Sequence, residues 1–341
     1  MKSDEKSAPE SLIPSTDLHA VGVVIIGRNE GERLKKCLTS VVGSVAIVVY
    51  VDSGSTDNSV AIARSQNVTV IELNMRIPFT AGRARNAGVE QMLAISPRLE
   101  YVQFVDGDCE LNPHWMTAAH IFLKQRPEVA AVSGRLRERY PDKSVYNMLC
   151  DLEWDAPIGE ATMCGGLAMM RVDAFAAAGG FNATLICGEE PELCSRFRAS
   201  GLRIWRLAEP MGLHDANMTR FGQWWVRAMR SGFSDAQAFV IDSAPPVRRG
   251  LRSSLSTWLW GGVIPLTVVL LTLWWPLGAL CLLFGYPIQI ARLATRKKRS
   301  ASDNWWRAFF LLLGKFPEMQ GQIKYYYQRL RGKPSNLIEH K

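Results

Sequence analysis

The first third of the chain alternates between two kinds of apolar pattern. Short continuous apolar runs, rich in Val and Ile, are separated by segments with apolar residues at helical spacing. Such runs suit strands buried on both faces, and helices between them imply parallel order. The predicted strands are VGVVIIG, AIVVYVD, VTVIEL and YVQFVD, and the predicted helices cover 32–42, 57–66 and 82–94. The pattern predicts an α/β fold with a doubly wound, mostly parallel, Rossmann-like sheet.

The pattern is less regular from residue 129 to 240. Helical spacing predicts two further helices, over 190–199 and 221–239, and the glycine pair Gly165-Gly166 indicates a turn. Before this region, Asn112 followed by Pro113 predicts a capped start for a helix that runs toward Lys124.

A long uncharged segment follows Pro245-Pro246. No charged residue lies between Arg252 and Arg292, an interval of 39 residues that is too long for a soluble core helix. Pro276 divides the interval, and basic residues flank both ends. Because positive residues stay cytoplasmic, we expect a transmembrane or re-entrant helical hairpin over 253–291 rather than a single span. The following WWRAFFLLLGKF is expected as an interfacial helix or as a third helix packed on the hairpin.

The net charge of +8 is concentrated in the C-terminal part of the chain. Residues 243–341 carry 15 Lys or Arg and three acidic residues, and thus +12, which leaves −4 for residues 1–242. A mildly acidic body with a basic, apolar tail favours a membrane surface as partner and argues against nucleic acid, which requires a basic stripe on the folded domain. We therefore divide the chain into a flexible N-terminus (1–19), an α/β domain (20–242), the hairpin (253–291) and a basic cytoplasmic or interfacial tail (292–341).

Cysteine usage and the N-terminus bear on the compartment. The seven cysteines are scattered, odd in number and without the short paired spacings of zinc sites, which favours buried thiols in a reducing compartment. The first twenty residues contain no apolar run, so no secretory signal is expected. These features predict a protein of the inner (cytoplasmic) membrane with its α/β domain in the cytoplasm.

Polar residues follow all four predicted strands. Ligands of open α/β sheets bind beyond the carboxyl ends of the strands, so these residues are expected to share one site. An isolated Asp in a loop is usually a turn residue, but several on one edge require a joint explanation. The segments, in strand order, are Gly27-Arg28-Asn29-Glu30, Asp52-Ser53-Gly54-Ser55-Thr56-Asp57, Gly82-Arg83-Ala84-Arg85-Asn86-Ala87-Gly88 and Asp106-Gly107-Asp108.

The Asp106-Gly107-Asp108 motif indicates a metal–diphosphate site. Two carboxylates after a buried strand repel each other unless a cation or donors compensate, and hard oxygen ligands select Mg²⁺ or Mn²⁺. Alone, the motif also suits a surface turn. Arg83 and Arg85 strengthen the metal–diphosphate interpretation, because guanidinium groups bind phosphate oxygens bidentately. The chain has neither a GxxxxGK[ST] loop nor a GxGxxG after the first strand, which argues against a P-loop protein and a dinucleotide dehydrogenase.

A second acidic cluster lies at Gly188-Glu189-Glu190-Pro191-Glu192. Acidic residues at a helix start favour the helix dipole, and that role alone explains the cluster; the functional alternative makes one of these carboxylates a general base. His214 is either a metal ligand or a structural hydrogen-bonding residue.

Six motifs together resemble, in order, the family 2 glycosyltransferases of GT-A fold. The resemblance covers about residues 20–235. The motifs are VVIIGRNEGERLKKCLTSV, VDSGSTDNS, GRARNAG, VDGD, GGLAMMRVDAFAAAGGF and GEEPELCSRF.

The resemblance implies a role for each matched residue. Gly27, Arg28, Asn29, Glu30 and Asp52 would bind the nucleobase and ribose of a nucleoside-diphosphate sugar. Arg83 and Arg85 would lie near the diphosphate, Asp106 near the ribose or the metal, and Asp108 on the metal, with His214 as a further metal ligand. Glu190 matches the family's catalytic Asp with one extra methylene, so Glu189 and Glu192 stay as alternates. The implied reaction inverts the anomeric centre, with Glu190 taking the proton of the acceptor hydroxyl.

The acceptor side is less defined. Processive synthases of this family carry Gln-x-x-Arg-Trp, and the nearest segment here, Gln223-Trp224-Trp225-Val226-Arg227, has a different spacing. One hairpin cannot enclose a pore, so we expect transfer of a single sugar to a lipid-linked or glycan acceptor, as in exopolysaccharide or glycolipid assembly. Gly165, Gly166, Trp224, Trp225 and Arg227 are the candidate acceptor residues, although packing of an amphipathic helix also explains the tryptophans.

Two alternatives remain from the sequence. A nucleotidyltransferase also uses a metal–diphosphate site, but usually has a Gly-rich basic signature after its first strand. A non-catalytic membrane scaffold that binds sugar nucleotides is the other alternative.

Overall fold

A single mixed sheet forms the centre of the α/β domain. The structure, a computed structural model, describes residues 18–241, 249–296 and 300–332. Within those ranges the strands are β1 (Val21–Gly27), β2 (Ile47–Asp52), β3 (Thr69–Glu72), β4 (Tyr101–Asp106), β5 (Cys109–Leu111), β6 (Val129–Glu138), β7 (Gly159–Ala161), β8 (Ala168–Arg171) and β9 (Arg203–His214). Their order is β3-β2-β1-β4-β8-β6-β9-β5, with β7 paired to β9.

The helices lie on both faces of this sheet and then continue beyond it. In the described residues they are α1 (Glu32–Thr39), α2 (Ser59–Ser65), α3 (Ala81–Ile95), α4 (Trp115–Gln125), α5 (Val145–Glu153), α6 (Val172–Ala177), α7 (Glu189–Ala199), α8 (Phe221–Ile241), α9 (Arg249–Trp258), α10 (Ile264–Trp274), α11 (Pro276–Leu283), α12 (Gly285–Ala294), α13 (Ala301–Leu313) and α14 (Lys315–Leu330).

The N-terminal half of the sheet is parallel, as the apolar runs predict. β1 pairs in parallel with β2 and β4, and β2 with β3. The first six residues of β1 are buried because helices cover both faces of the sheet. The α/β class is thus confirmed, and each of the four predicted strands is present.

The second half of the sheet differs from the mostly parallel prediction. β8 pairs antiparallel with both β4 and β6, and β5 and β7 pair antiparallel with β9. The sheet is therefore mixed. The short strands β5, β7 and β8 contain three or four residues each, too few to reveal their direction from an apolar pattern.

Two predicted helix starts need correction. The helix predicted from residue 57 begins at Ser59. The helix after β5 begins at Trp115 with His114 at the N-cap position, and Asn112 does not cap it. The side chain of Asn112 instead accepts a hydrogen bond from the backbone N–H of His114 (3.0 Å). This Asx turn satisfies a backbone donor one step before the helix begins.

The uncharged segment forms two consecutive long helices, because α9 continues into α10 through a π-helical stretch, Leu259–Val263, and α11 continues into α12. Leu251–Trp274 and Pro276–Ala294 are each long and apolar enough to cross a membrane, and only 17% of each apolar window is buried inside the protein. Trp275 leaves the helical conformation between them (φ −147°, ψ 78°). Near the middle of the two helices, the hydroxyl of Tyr286 donates to the carbonyl of Trp260 (2.6 Å), so the helices pack side by side as a hairpin.

The C-terminal helices attach the hairpin to the α/β domain. WWRAFFLLLGKF lies in α13 and the start of α14, and α13 packs on α12 of the hairpin. α14 packs along α8, where the backbones approach closely at Gly232 and Gly321. Parts of the predicted N-terminus (1–17), the Pro245-Pro246 boundary, the cluster at 297–299 and the end of the tail (333–341) lie outside the described residues.

Candidate functional site

Two adjoining cavities lie at the carboxyl edge of the parallel strands. The β1 cavity, of about 620 Å³, is lined by the segment after β1, by the Asp106-Gly107-Asp108 motif and by His214. The α7 cavity, of about 670 Å³, is lined by the start of α7, by one face of α8 and by Gly166. Asp106, Arg227 and Arg230 line both. The sequence motifs from opposite ends of the domain therefore converge on one continuous cleft.

Two loops at the β1 cavity hold each other by hydrogen bonds. Asn29, in the left-handed conformation (φ 56°), donates its backbone N–H to Ser55 Oγ (2.9 Å). Its side chain accepts from the N–H of Thr56 (2.7 Å). Gly27, Arg28, Asn29 and Glu30 all line the cavity, as the sequence predicts for one site.

Asp52 has its carboxylate occupied by its own loop. Its Oδ2 accepts the N–H groups of Gly54 and Ser55 (2.9 and 2.8 Å), and its Oδ1 accepts the hydroxyls of Tyr50 (2.9 Å) and Ser55. Asp52 is buried and does not line the cavity, whereas its neighbour Ser53 does. Here Asp52 shapes the loop that would surround a ligand.

Asp108 and His214 meet in the β1 cavity because their strands pair. Cys109 of β5 is in register with His214 of β9, and Nε2 of His214 lies 3.3 Å from Oδ1 of Asp108. On the other side of the ring, Nδ1 of His214 lies 3.8 Å from Oε2 of the buried Glu138, and Trp154 packs edge-on against the imidazole. The carboxylates of Asp108 and Asp106 offer the oxygen ligands that Mn²⁺ and Mg²⁺ prefer, and the imidazole of His214 adds a nitrogen ligand beside Asp108.

Arg85 connects the two cavities through an ion-pair bridge. Its guanidinium, which is 3% exposed as a residue, binds Oδ1 of Asp106 (2.9 Å) and Oε1 of Glu189 (2.6 Å). Burial lowers the pKa of Arg85, but the two carboxylates outweigh it, so the pKa is raised and the group stays charged. A Cβ at Gly166 would lie 3.0 Å from this guanidinium, so glycine permits the close approach.

Glu190 differs from its acidic neighbours in its contacts. The backbone N–H of Cys164 (2.7 Å) and the thiols of Cys164 (3.2 Å) and Cys194 (3.0 Å) all donate to its Oε1. Among the described residues no donor contacts its Oε2. Glu192 instead pairs with Arg196 through both oxygens (2.8 and 2.6 Å). Of the three acids, only Glu190 is free of an arginine.

One face of α8 combines Arg227, a predicted acceptor residue, with residues that the sequence prediction missed. Arg227, Arg230, Ser234 and Ala238 recur at helical spacing and line the α7 cavity. Arg227 pairs with Glu153 (2.8 and 3.1 Å), whose charge raises the pKa of Arg227. The signal in the sequence that could have identified this face is the repeat of polar residues every three or four positions, at Arg227, Arg230 and Ser234.

Three predicted residues lie elsewhere. Arg83 is two positions from Arg85 on α3 and points to the other side, where it donates to the carbonyls of Asn74 and Ile77 (both 2.8 Å). Trp224 packs against Phe310 of α13, with ring centroids 4.8 Å apart, and Trp225 donates to Gln320 of α14 (3.0 Å). None of the three lines either cavity.

Gly165 also lies outside both cavity linings. Its positive φ of 84° makes the turn that brings Gly166 beside Arg85. Gly165 therefore sets the backbone conformation and does not itself line a cavity.

Comparisons with known proteins agree with this geometry. The profile described as glycosyl transferase family 2 matches residues 22–177. Glycosyltransferase AglE of Haloferax volcanii is 25% identical over 266 residues, which cover 74% of this chain and 83% of that protein. The uncharacterised glycosyltransferase YibD of Escherichia coli is 32% identical over 98 residues, or 27% of each chain.

A solved structure shares the fold over nearly the whole chain. It is the mannosyltransferase PcManGT from Pyrobaculum calidifontis in complex with GDP-Man and Mn²⁺, with a TM-score of 0.61, 18% identity and coverage of 96% of this chain and 92% of that one. The family match, more than the shared fold, favours a glycosyltransferase over the nucleotidyltransferase alternative. Residues 22–177 match the family described as glycosyl transferase family 2, and the chain has the fold of the GT-A glycosyltransferases.

Proposed function

We propose that this enzyme transfers one sugar, with inversion and with a divalent metal, from a nucleoside-diphosphate sugar to a lipid-linked acceptor in polysaccharide or glycolipid synthesis. The observation that carries the proposal is the shared wall of the two cavities. Asp106 lies in both, between the Asp108–His214 pair and the acidic start of α7. A donor in the β1 cavity and an acceptor in the α7 cavity would therefore meet beside Asp106.

The β1 cavity is the donor side in this proposal. Gly27 to Glu30 would contact the nucleoside, with Asp52 holding the adjacent loop in shape. Asp108, His214 and Asp106 would hold Mn²⁺ or Mg²⁺, which supplies positive charge to the diphosphate leaving group. Arg85, already charged and buried, would add to the positive potential at the same point. These side chains matter most in the transition state, when negative charge grows on the diphosphate.

Glu190 is the best-suited general base. The carboxylate of Glu189 is paired with Arg85 and that of Glu192 with Arg196. In Glu190, three donors contact Oε1, and the residue lines the α7 cavity. Glu190 Oε2 would take the proton of the acceptor hydroxyl as that oxygen attacks C1 of the sugar.

The hairpin supports an acceptor that is anchored in a membrane. Both hairpin helices expose their apolar side chains, and Leu273 and Trp274 at the tip are 78% and 88% exposed. A surface of this kind suits lipid better than water. We propose that the hairpin holds the domain (20–242) at the cytoplasmic face of the inner membrane, with the basic tail (292–341) near anionic lipid.

The experiment is a calorimetric titration of the detergent-purified protein with UDP, GDP and dTDP, each with and without Mn²⁺. Wild type and Asp108→Ala are compared, with Asp57→Ala as the control variant in a nearby loop. Binding of one nucleotide that requires both Mn²⁺ and Asp108 is expected, and it would name the donor class. Failure of all three nucleotides to bind wild type would contradict the proposal and leave the non-catalytic scaffold as the alternative.

A further inference from the structure

A cluster of two cysteines and one glutamate lies at the wall of the α7 cavity. Cys164 precedes β8, while Glu190 and Cys194 stand one helical turn apart on α7. The two Sγ atoms are 3.6 Å apart, and each lies within 3.2 Å of Oε1 of Glu190. All three residues are buried, with Glu190 lining the cavity. The cluster is therefore compact and reachable from the cavity through Glu190.

Its dimensions resemble those of a tetrahedral metal site. A zinc ion with Zn–S bonds of about 2.3 Å and Zn–O bonds of about 2.0–2.2 Å separates two sulfurs by roughly 3.8 Å and a sulfur from an oxygen by roughly 3.6 Å. The observed sulfur–sulfur distance of 3.6 Å already agrees. The sulfur–oxygen distances of 3.0 and 3.2 Å need to open by about half an ångström, within the reach of side-chain rotation.

We propose that Cys164, Cys194 and Glu190 bind a thiophilic divalent cation such as Zn²⁺, and that this binding inhibits the enzyme. The fourth ligand would be a water from the α7 cavity, as three protein ligands leave one position open. The inhibitory part rests on the proposed function, because it requires Glu190 to be the general base. Binding of Oε1 to zinc would draw negative charge from the carboxylate and make Oε2 a weaker acceptor for the proton of the acceptor hydroxyl.

The cluster and the Asp108–His214 pair should select different metals. Asp106 and Asp108 offer carboxylate oxygens, which suit Mn²⁺ and Mg²⁺, whereas two thiolates favour zinc. The enzyme would then be supported by one class of divalent ion and inhibited by another.

Zinc binding should release protons, because a thiol coordinates the ion as a thiolate and the ion must displace the thiol proton. The affinity of the cluster for Zn²⁺ is therefore expected to rise with pH.

The test uses Co²⁺ as a spectroscopic probe for zinc in the full-length, detergent-purified protein, kept reduced with a phosphine. Thiolate coordination gives a sulfur-to-cobalt charge-transfer band, which Zn²⁺ should abolish by displacement. The band should appear in wild type, grow with pH, and disappear in both Cys164→Ala and Cys194→Ser. Circular dichroism and thermal melting verify that each variant is folded, and the two separate substitutions guard against a failure of one to fold.

Two control variants locate the site. Cys281→Ser removes an exposed cysteine of the hairpin, and Cys109→Ala removes the thiol beside Asp108. Both should keep the band. Absence of the band in wild type, or its persistence in a folded Cys164→Ala or Cys194→Ser protein, would overturn the metal site.

The inhibitory part has its own readout. Zn²⁺ added to the Mn²⁺-supported enzyme should reduce transfer at least tenfold, and a zinc chelator should restore it. A cobalt band with full activity under saturating Zn²⁺ would contradict the inhibition while leaving the metal site intact. If wild type gives no cobalt band but binds a nucleotide as proposed, the metal site is contradicted and the proposed function stays intact.

Discussion

Glu190 carries the most direct prediction at the scale of a single residue. Glu190→Gln keeps the shape of the side chain but removes the proton acceptor. A general base typically contributes about 10²- to 10⁴-fold to the rate, so kcat for transfer to acceptor extracted with the membrane should fall by that order. Donor binding, measured by calorimetry, should change little, because Glu190 lies on the acceptor side.

Glu192→Gln is the matched control for that substitution. It removes a carboxylate from the same turn of α7, but one already paired with Arg196. Its kcat should stay within a few-fold of wild type. Similar losses of kcat in both variants would indicate that the acidic start of α7 acts through the helix dipole alone.

Glu138 is predicted to position His214. Its Oε2 faces Nδ1 of the imidazole at 3.8 Å, and a carboxylate behind a ligating histidine fixes the ring and raises its basicity. Glu138→Gln should therefore weaken Mn²⁺ binding about 10- to 100-fold, as measured by electron paramagnetic resonance titration.

The control for Glu138 is Glu110→Gln, which alters a carboxylate on neighbouring β5 that pairs with Arg139. Its Mn²⁺ affinity should match wild type. An unchanged Mn²⁺ affinity in folded Glu138→Gln protein would contradict this role. Glu138 would then serve only to accept hydrogen bonds from the backbone N–H groups of Tyr140 and Ala216.

The positions of some single residues could be predicted from the sequence, and those of others could not. Asp106, Asp108 and His214 line the β1 cavity and Glu190 lines the adjoining α7 cavity, because strand ends and helix starts fix their positions. Their roles stay predictions. Arg83 and Arg85 were treated as a pair, yet residues two apart on a helix point to different sides. Motif spacing could not reveal that Arg83 binds carbonyls of the irregular loop before α3, or that Cys164, 26 residues away, contacts Glu190.

At the scale of elements, the packing of α8 against α14 gives the next prediction. A Cβ at Gly232 of α8 would lie 2.0 Å from the backbone carbonyl of Glu318 of α14, so the two helices must separate to accept it. Glu318 also accepts from Thr257 of α9 (2.7 Å) and pairs with Lys315 (2.6 Å). Gly232→Ala should lower the free energy of unfolding by about 1–3 kcal/mol despite the better helix propensity of Ala.

Gly222→Ala in the same helix is the control, because nothing lies within 4 Å of its added Cβ. It should leave the thermal midpoint in detergent unchanged or slightly raised, whereas Gly232→Ala should lower it. Equal midpoints for the two variants would mean that α14 does not hold its position against α8.

Some helices and strands can be predicted from the apolar pattern of the sequence, and others cannot. Strands β1 to β4 and their helices follow from periodicity because each is locally amphipathic or fully apolar. The mixed pairing of β5, β7 and β8 depends on partners far along the chain. Trp224 and Trp225 were candidates for the acceptor site, yet they pack on α13 and α14, and no local signal indicated that the tail returns to α8.

At the scale of the whole molecule, the length of the hairpin predicts a full crossing of the membrane. Helices of 24 and 19 residues span about 36 and 28 Å, against roughly 30 Å of hydrocarbon. Trp274 and Trp275 at the tip would lie at the interface opposite the α/β domain. The absence of any charge between Arg252 and Arg292 made the hairpin predictable from sequence, since no tertiary contact is needed to infer it.

The crossing is tested by labelling a cysteine at the tip. In a Cys281→Ser background, Trp274→Cys should react with a membrane-impermeant maleimide added to sealed vesicles on the side opposite the α/β domain. Ala301→Cys, exposed at the start of α13 beyond the basic flank, is the control and should react only from the side of the α/β domain. A re-entrant hairpin would bury its tip in hydrocarbon. If Trp274→Cys is protected from the maleimide on both sides while Ala301→Cys is still labelled, the hairpin is re-entrant and the predicted crossing is wrong.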